Sequence, residues 1–221
     1  ERVKFMQDSH EAFARQGDYA EGSGVLSLQQ NIEMVLVDTG TVIRCDHLEA
    51  QIVTRDQSLK RARFDGAVDI QEKDKSIRAE QGDFDQLLNS LTLAGDVRMQ
   101  VHQFRKLLRQ ESAERIQNPE VSEMLSKPAL LECNELYLDR ESQNAFATGD
   151  VHVVQKEQQA RSERARYVED EDIIYLEDNV TLLKENGEWI EANQVIAHLQ
   201  EESFEAVGAV ETEFILRDRN R

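Results

Sequence analysis

Cys45, His47 and Cys133 are the residues of this sequence whose types could most directly do metal or thiol chemistry. Zinc sites use closely spaced Cys and His pairs, and neither a Cys-x-x-Cys motif nor a Cys/His ladder occurs here. Both cysteines instead hold a position of a sequence repeat that Ala or Ser fills in other copies, which indicates small buried side chains. If each repeat adds one layer, the two thiols lie roughly 10 Å apart, too far for a disulfide. We therefore expect no metal site, no cofactor and no disulfide.

The 44 acidic side chains could supply general acids and bases or bind calcium. Those that recur in the repeat, such as Asp65 and Asp96, recur as structural corners and not as facing pairs. The acidic run from Glu169 to Asp172 lacks the spaced ligands of a calcium loop and is typical of a solvated turn. The five histidines share no repeat position, and Gly22-x-Gly24 lacks the third glycine of a nucleotide-binding loop. The sequence therefore predicts no catalytic residues and a protein that is not an enzyme.

The composition describes a folded and strongly acidic chain. Its 221 residues include 26 basic and 44 acidic side chains, for a formal net charge of −18. Nucleic-acid affinity comes mainly from Lys and Arg that displace counterions from phosphates, so nucleic acid is excluded as a partner. The length suits one large all-β domain, and no run of apolar residues is long enough to span a bilayer.

A unit of roughly thirty residues recurs along the chain and positions all of these side chains. One column of the repeat ends on Val or Ile, and in four copies a Gly stands two residues before it. A second column places a small residue before a polar one. The interval from this small residue to the next Val is constant in four successive copies. The first column is Ile32, Val68, Val97, Val151, Val180 and Val210, and the second is Cys45, Ala79, Cys133, Ser162 and Ala192.

Apolar and polar residues alternate around the Val column, as they do on strands that bury one face. After the small column the spacing shifts from even to odd, which indicates a bulge or corner. A Gly inside a strand also marks a bend or a close approach of two backbones. The repeat therefore predicts an all-β protein of two facing antiparallel sheets, bent at a fixed place in each unit, with an apolar interior.

Two segments depart from the repeat. Residues 103–128 form an insertion with roughly helical apolar spacing and both prolines of the chain, so we expect one or two short surface helices there. Near the start, Ser9 is a candidate cap for a short N-terminal helix through Gln16, with Gly17 as its C-terminal stop. We expect one domain over residues 1–221, with repeats from about 20–102 and 129–214.

The motifs Ile190-Glu191-Ala192-Asn193, Leu93-Ala94-Gly95-Asp96-Val97 and Ala147-Thr148-Gly149-Asp150-Val151 resemble the repeat of the periplasmic lipopolysaccharide-transport family, also called the organic-solvent-tolerance (LptA/LptC-like) family. The resemblance covers residues 20 to 214 except the insertion. It implies an open β-jellyroll whose groove shields the acyl chains of lipopolysaccharide or a related glycolipid. The insertion has no counterpart in the family's basic repeat, and Asp178 stands where the repeat has Gly.

The resemblance also implies a bridge protein that stacks end to end between inner-membrane and outer-membrane transport components. Such a protein is periplasmic, with or without an inner-membrane anchor in a segment outside this sequence. The strands near Val25 to Leu36 and near Val207 to Leu216 are the expected stacking edges, with Leu28, Ile32, Val210 and Ile215 as edge residues. The expected lipid-binding residues are Val68, Ile70, Leu93, Val97, Met99, Val101, Val151, Val153, Leu176, Val180, Leu182, Val210 and Phe214.

Two other readings stay open at this point. The same alternating side chains suit a closed, dry core, in which case the protein is a structural β-repeat scaffold or adhesin without lipid cargo. A polysaccharide-processing β-solenoid enzyme would need carboxylates on one column, and the aligned columns hold small or apolar residues instead.

Overall fold

The alternating segments form long antiparallel strands, and the fold is all-β as the sequence predicts. A computed structural model describes residues 2–7, 10–37, 39–53, 58–103, 126–156, 158–184, 186–201 and 203–213. The strands in these residues are β1 (Val3–Gln7), β2 (His10–Ala14), β3 (Gln16–Ala20), β4 (Val25–Leu36), β5 (Thr41–Ile52), β6 (Leu59–Gln71), β7 (Lys75–Asp85), β8 (Ser90–Val101), β9 (Ala129–Asp139), β10 (Ala145–Gln155), β11 (Gln158–Val168), β12 (Ile173–Leu183), β13 (Trp189–His198), β14 (Ser203–Val207) and β15 (Glu211–Glu213).

The chain divides into two compact units. The first is Glu1–Gln100 with Glu135–Gln143, and the second is Val101–Asn134 with Asn144–Arg221. Within the first unit the sheet order is β1-β2-β4-β5-β6-β7-β8, and β3 pairs with β4 beside β2. Within the second unit the order is β10-β11-β12-β13-β14, and β15 pairs with β13 beside β14.

Each long strand of the repeat is bent at the predicted place. The β6–β7 pairing shifts register between Asp65 and Val68, and the β12–β13 pairing shifts between Glu177 and Val180. Two successive residues at each such bend have left-handed backbone angles, as in Gly66 (φ 77°) and Ala67 (φ 47°). Asp178 keeps this conformation at φ 63° in place of Gly, because Asp tolerates it better than most residues.

The two columns of the repeat meet in space at these bends. A Cβ on Gly95 would lie 2.5 Å from Glu80 Oε2, and a Cβ on Gly66 would lie 2.8 Å from Asp46 Oδ2. The polar residue that follows the small column therefore lies against the Gly backbone of the next strand. This contact explains why a glycine and a small-polar pair recur together in the sequence.

The bends fold each unit onto itself. In the second unit, Leu176 and Val180 on either side of the β12 bend join one buried cluster with Ala192 and Val195 of β13. In the first unit, Leu26 and Met34 on either side of the β4 bend line the same small pocket. The two halves of the strands thus face each other across the interior, as the predicted jellyroll requires.

The predicted N-terminal helix from Ser9 to Gln16 is wrong. His10–Ala14 forms β2, which pairs with β1 and with β4. The strand wins because it buries Ala12 and Ala14 on its inner face, whereas a helix of this length has little stability of its own. Gly17 is not a helix stop, and a Cβ there would lie 2.7 Å from Leu28 Cδ2.

Most of the predicted helical insertion, residues 104–125, lies outside the residues that the structure describes. In the described part of the chain, no helix is both long enough and apolar enough to cross a membrane.

Candidate lipid-binding interior

The interior of the first unit is a continuous apolar surface built from alternate residues of β4 to β8. Phe64, Val68 and Ile70 of β6 point inward and are each only 1% exposed. The register places Ile43 of β5 and Ile77 of β7 beside Ile70 in one row across three strands. Each strand of the repeat bends once and has inward-facing side chains on both sides of its bend. Across the sheet these side chains form two sets of rows, one on each side of the bends.

The interior of the first unit contains a small pocket near the start of the chain. The pocket near the start of the chain has a cavity volume of about 20 Å³, which is room for about one water molecule. Its lining is apolar apart from His10 and comes from both halves of the unit. An acyl chain needs far more space than this pocket offers.

The interior of the second unit is less covered. Val153, Ala160 and Leu182 lie in one row across β10, β11 and β12, and all three are only half-buried. On the other side of the bend, Ile174 and Ala206 pack against the buried cluster and are also half-buried. The second unit therefore exposes apolar interior surface that the first unit keeps covered.

The outer face of β4 to β7 carries rows of ion-paired side chains that keep this face polar. Arg44 Nη2 lies 3.0 Å from Glu33 Oε2 and its Nη1 lies 3.8 Å from Asp69 Oδ1, while Arg78 Nε also reaches Asp69 at 3.2 Å. These side chains are adjacent across β4 to β7. Exposed ion pairs of this kind contribute little to stability, so their effect is to make one face of the sheet polar.

The two cysteines are buried thiols in the small column, as predicted, and neither is in a disulfide. Burial, with the nearby carboxylates of Asp46 and Asp65, raises the pKa of Cys45 to about 12. A thiol with such a pKa stays protonated at neutral pH and is a poor nucleophile. In the described part of the chain, no cluster of three or more His, Cys, Asp and Glu side chains could hold a metal ion.

The acidic run from Glu169 to Asp172 is not the fully solvated turn that the sequence predicts. Glu169 and Asp172 are 2% and 3% exposed. The hydroxyl of Tyr167 and the side-chain amide of Gln200 donate hydrogen bonds to Glu169 and Asp172, respectively. The Glu169 backbone N–H donates to Asn144 Oδ1 at 2.9 Å, so the Glu169 backbone and the Asp172 carboxylate connect this turn to two neighbouring ones.

The sheet ends lie elsewhere than the sequence suggests. β4, with Leu28 and Ile32, has β5 on one side and β2 with β3 on the other, and both side chains are buried. The expected first edge at these residues is therefore an internal strand, because the short strands before the repeat pair with it. In the described chain the strands that have a partner on one side only are β1 and β3, which precede the repeat, and β14 with β15, which end it.

Residues 47–203 match the family described as LptA/(LptD N-terminal domain) LPS transport protein. The match covers more than half of the chain, from β5 through to the first residue of β14. The chain belongs to this family.

No curated protein matches this LPS transport family member. Among solved structures the chain is similar to LptH from Pseudomonas aeruginosa, described as the LptA homologous periplasmic component of its conserved lipopolysaccharide transport device. The two are 11% identical, the likeness covers 94% of this chain and 95% of LptH, and the TM-score is 0.30.

The structure places most of the expected lipid-binding residues of this LptA-family chain on the inner face. Val153 and Leu182 are half-buried on the same face, whereas Val210 is 46% exposed between β14 and β15. Phe214 and the expected edge residue Ile215 lie outside the described residues. The buried members are Val68, Ile70, Leu93, Val97, Met99, Val101, Val151, Leu176 and Val180.

Sequence reasoning missed the inward residues of the strands that carry the small column. These strands also bury large apolar side chains, and the shift in spacing after the small residue was the signal that could have found them. The missed residues are Ile43, Leu48, Ile52, Ile77, Leu136, Ile190 and Val195.

Proposed function

We propose that this protein binds the acyl chains of lipopolysaccharide in its apolar interior and carries the lipid across the periplasm as part of a protein bridge between the two membranes. The observation that supports this most is the largely apolar inner face within each unit of a chain that belongs to the LPS transport family. The protein acts as a carrier and not as an enzyme.

Apolar burial alone is strong enough to hold such a lipid. Each methylene group removed from water contributes roughly 0.8 kcal/mol, so a few chain segments give substantial retention without a specific hydrogen bond. Because the interaction is non-directional, the lipid can also slide along the interior. A transport bridge needs this combination of retention and mobility.

The second unit is the proposed contact region for the acyl chains. Its half-buried row of Val153, Ala160 and Leu182 exposes apolar surface toward the interior, and a lipid tail would cover that surface. The corresponding row of Ile43, Ile70 and Ile77 in the first unit is buried, so the second unit offers the more accessible apolar surface.

The acidic surface selects which part of the lipid is held. A net charge of −18 repels phosphorylated head groups, which would project into solvent or be bridged by cations. Binding through the tails alone depends only weakly on salt, because no ion pairs between protein and lipid are screened.

We propose that the bridge forms by strand addition at the outer strands, with other transport components or with further copies of this chain. Unpaired strand edges associate readily, and natural proteins protect them unless association is their function. β1 exposes Val3 and Met6 beside Arg2 and Lys4, whereas β14 and β15 expose Phe204 beside acidic side chains. Arg2 and Lys4 are paired with Glu33 and Glu11, so it is the exposed apolar surface at the outer strands that favours head-to-tail contact.

Photocrosslinking from adjacent residues of opposite faces tests lipid binding. A photoreactive amino acid replaces Leu182 or Val153, which face inward, or their neighbours Leu183 or Val154, which face outward. After incubation with purified lipopolysaccharide and irradiation, we expect lipid adducts from positions 182 and 153 only. Circular dichroism of each variant checks that it is folded.

Equal labelling from the inward and outward positions would contradict the proposal, since it would indicate a lipid adsorbed on the surface. No adduct from any folded variant would favour the scaffold without cargo. The buried row of Ile43, Ile70 and Ile77 in the first unit is the observation that favours testing this second possibility.

A further inference from the structure

Asn186 and Gly187 form the only Asn-Gly pair of the sequence, and they lie in the turn between β12 and β13. The side-chain amide of an asparagine can react with the backbone nitrogen of the next residue, which makes asparagine one of the chemically labile residues of proteins. A side chain on that next residue obstructs the approach of the two groups, and glycine has none. This reaction is therefore least hindered at Asn186.

The turn is a tight hairpin connection that leaves the pair accessible to water. The Lys184 N–H donates to the Glu188 carbonyl at 2.8 Å, and the Gly187 N–H donates to the Lys184 carbonyl at 3.0 Å. Gly187 has a left-handed backbone with a φ of 84°, which glycine adopts without strain. Gly187 is exposed and Asn186 is half-buried, so water and hydroxide reach the backbone between them.

The Asn186 side chain folds back over the peptide group that follows it. Its Oδ1 accepts a hydrogen bond from the Glu188 backbone N–H at 3.1 Å. Because this bond spans the Gly187 residue, it holds the side-chain carbon Cγ of Asn186 beside the Gly187 nitrogen. The same hydrogen bond withdraws electrons from the side-chain carbonyl, so Cγ becomes easier to attack. The turn therefore brings the two reacting atoms together.

One contact opposes the reaction. The Gly187 N–H must leave the Lys184 carbonyl before its nitrogen can lose the proton. Gly187 is exposed, so water replaces the Lys184 carbonyl as the acceptor and the net cost of breaking this hydrogen bond is small. The turn therefore slows the loss of this proton without preventing it.

We propose that Asn186 is a site of spontaneous deamidation through a cyclic imide. Hydroxide removes the Gly187 amide proton, and the nitrogen forms a bond to Asn186 Cγ. The side-chain nitrogen takes a proton from water and leaves as ammonia, which regenerates the hydroxide. Water then adds to one of the two imide carbonyls and breaks its bond to the Gly187 nitrogen. Opening at Cγ yields aspartate, and opening at the backbone carbonyl of Asn186 yields isoaspartate.

Either product changes the turn that joins β12 to β13. Each adds one negative charge close to Glu188, whose carboxylate lies 3.3 Å from Lys184 Nζ. Isoaspartate also lengthens the main chain by one atom between Leu182 and Ile190, which are paired across the two strands. The inference does not depend on lipid binding, although the modified turn adjoins the half-buried row that contains Leu182.

The test incubates the intact chain in mildly alkaline buffer and follows each asparagine by digestion and mass spectrometry. Asn144 is the matched internal control, because it is also half-buried outside a strand and its Oδ1 accepts a backbone N–H at 2.9 Å, but Ala145 follows it. We expect the Asn186 peptide to gain one mass unit at least about tenfold faster than the Asn144 peptide, because glycine does not obstruct its own nitrogen. Isoaspartate should be the main product.

The variant Asn186→Gln should keep the circular dichroism of the wild type and lose the fast mass gain, because glutamine has to close a larger ring. Three results would overturn the proposal. The first is an equal rate at Asn186 and Asn144, and the second is no gain at Asn186 in the folded chain when the urea-unfolded chain shows one. The third is aspartate as the only product, since direct hydrolysis of the side chain forms no isoaspartate. An equally fast gain in Asn186→Gln would likewise place the reaction at another residue of the peptide.

Discussion

Ala67 is the residue whose backbone conformation fits its side chain least well. Its φ of 47° lies in the left-handed region, where an L-residue with a Cβ is disfavoured by about 1–2 kcal/mol. The equivalent position at the other bends holds residues that tolerate this conformation, namely Asn31, Asp96, Asp150 and Asn179. Ala67 is therefore a destabilising position of the repeat, and the other copies indicate that Asn or Asp fits the backbone there better.

Replacing Ala67 with Asn should stabilise the protein. We expect the free energy of unfolding to rise by about 1 kcal/mol and the melting temperature by about 2–4 °C, because Asn adopts the left-handed conformation at lower cost. Urea titration followed by circular dichroism measures the change. Ala94→Asn is the matched control, since Ala94 lies in β8 without a positive φ, and it should give no gain. An equal gain from both variants would remove the backbone explanation.

At the scale of the strand, the contact between Gly95 and Glu80 joins successive copies of the repeat. Gly95→Ala should lower the free energy of unfolding by about 1–3 kcal/mol, because the new Cβ meets the Cβ and Cγ of Glu80 at 2.7 Å and the φ of 80° disfavours alanine. Gly22→Ala should change it by less than about 0.5 kcal/mol, since Gly22 has open space around it.

A double-mutant cycle separates the two causes in Gly95→Ala. Adding Glu80→Gly removes the side chain that the new methyl group meets, so the cost of Gly95→Ala should be smaller in that background by roughly 1 kcal/mol. The remaining cost reports the backbone conformation alone. Strictly additive effects would mean that the close approach of β7 and β8 does not constrain this position.

The sequence predicted the strands of the repeat well because each carries its own evidence. Alternation, the small column and the Gly column are local patterns, and the structure confirms a register shift where the spacing changes parity, as after Cys45 and Ser162. The strands before the repeat were not predictable in this way. Residues 10–14 are extended because β1 and β4 pair with them. The sequence of this segment contains no local pattern that indicates such pairing.

The openness of the interior was also beyond the sequence. The same alternation describes the tightly closed row at Ile70 and the half-covered row at Leu182. The difference depends on how closely the facing half-strands approach, which many side chains decide together. Likewise, Glu169 and Asp172 are buried where neighbouring turns meet, since the Glu169 backbone N–H donates to Asn144 and the Gln200 side-chain amide donates to Asp172, whereas the acidic run itself is typical of a solvated turn.

At the scale of the whole molecule, association must overcome the repulsion between chains of charge −18. Local features at the two ends of the described chain can do this. The exposed apolar side chains there are Val3 and Met6 on β1 and Phe204 on β14. Salt should therefore favour association, since it screens the overall repulsion between chains.

Met6→Glu is the substitution that tests head-to-tail association most directly. Met6 is 63% exposed on the outer strand β1, so a glutamate there adds charge to the proposed contact without disturbing a buried side chain. We expect the sedimentation coefficient of the wild-type chain to rise with concentration and that of Met6→Glu to stay at the monomer value.

Leu87→Glu is the control, because it also replaces an exposed apolar side chain with a negatively charged one, at a turn tip away from the edge strands. Both variants should keep the far-ultraviolet circular dichroism of the wild type. If Leu87→Glu suppressed association as strongly as Met6→Glu did, the added negative charge and not its position on β1 would be the cause. The proposal that β1 is the stacking edge would then be wrong.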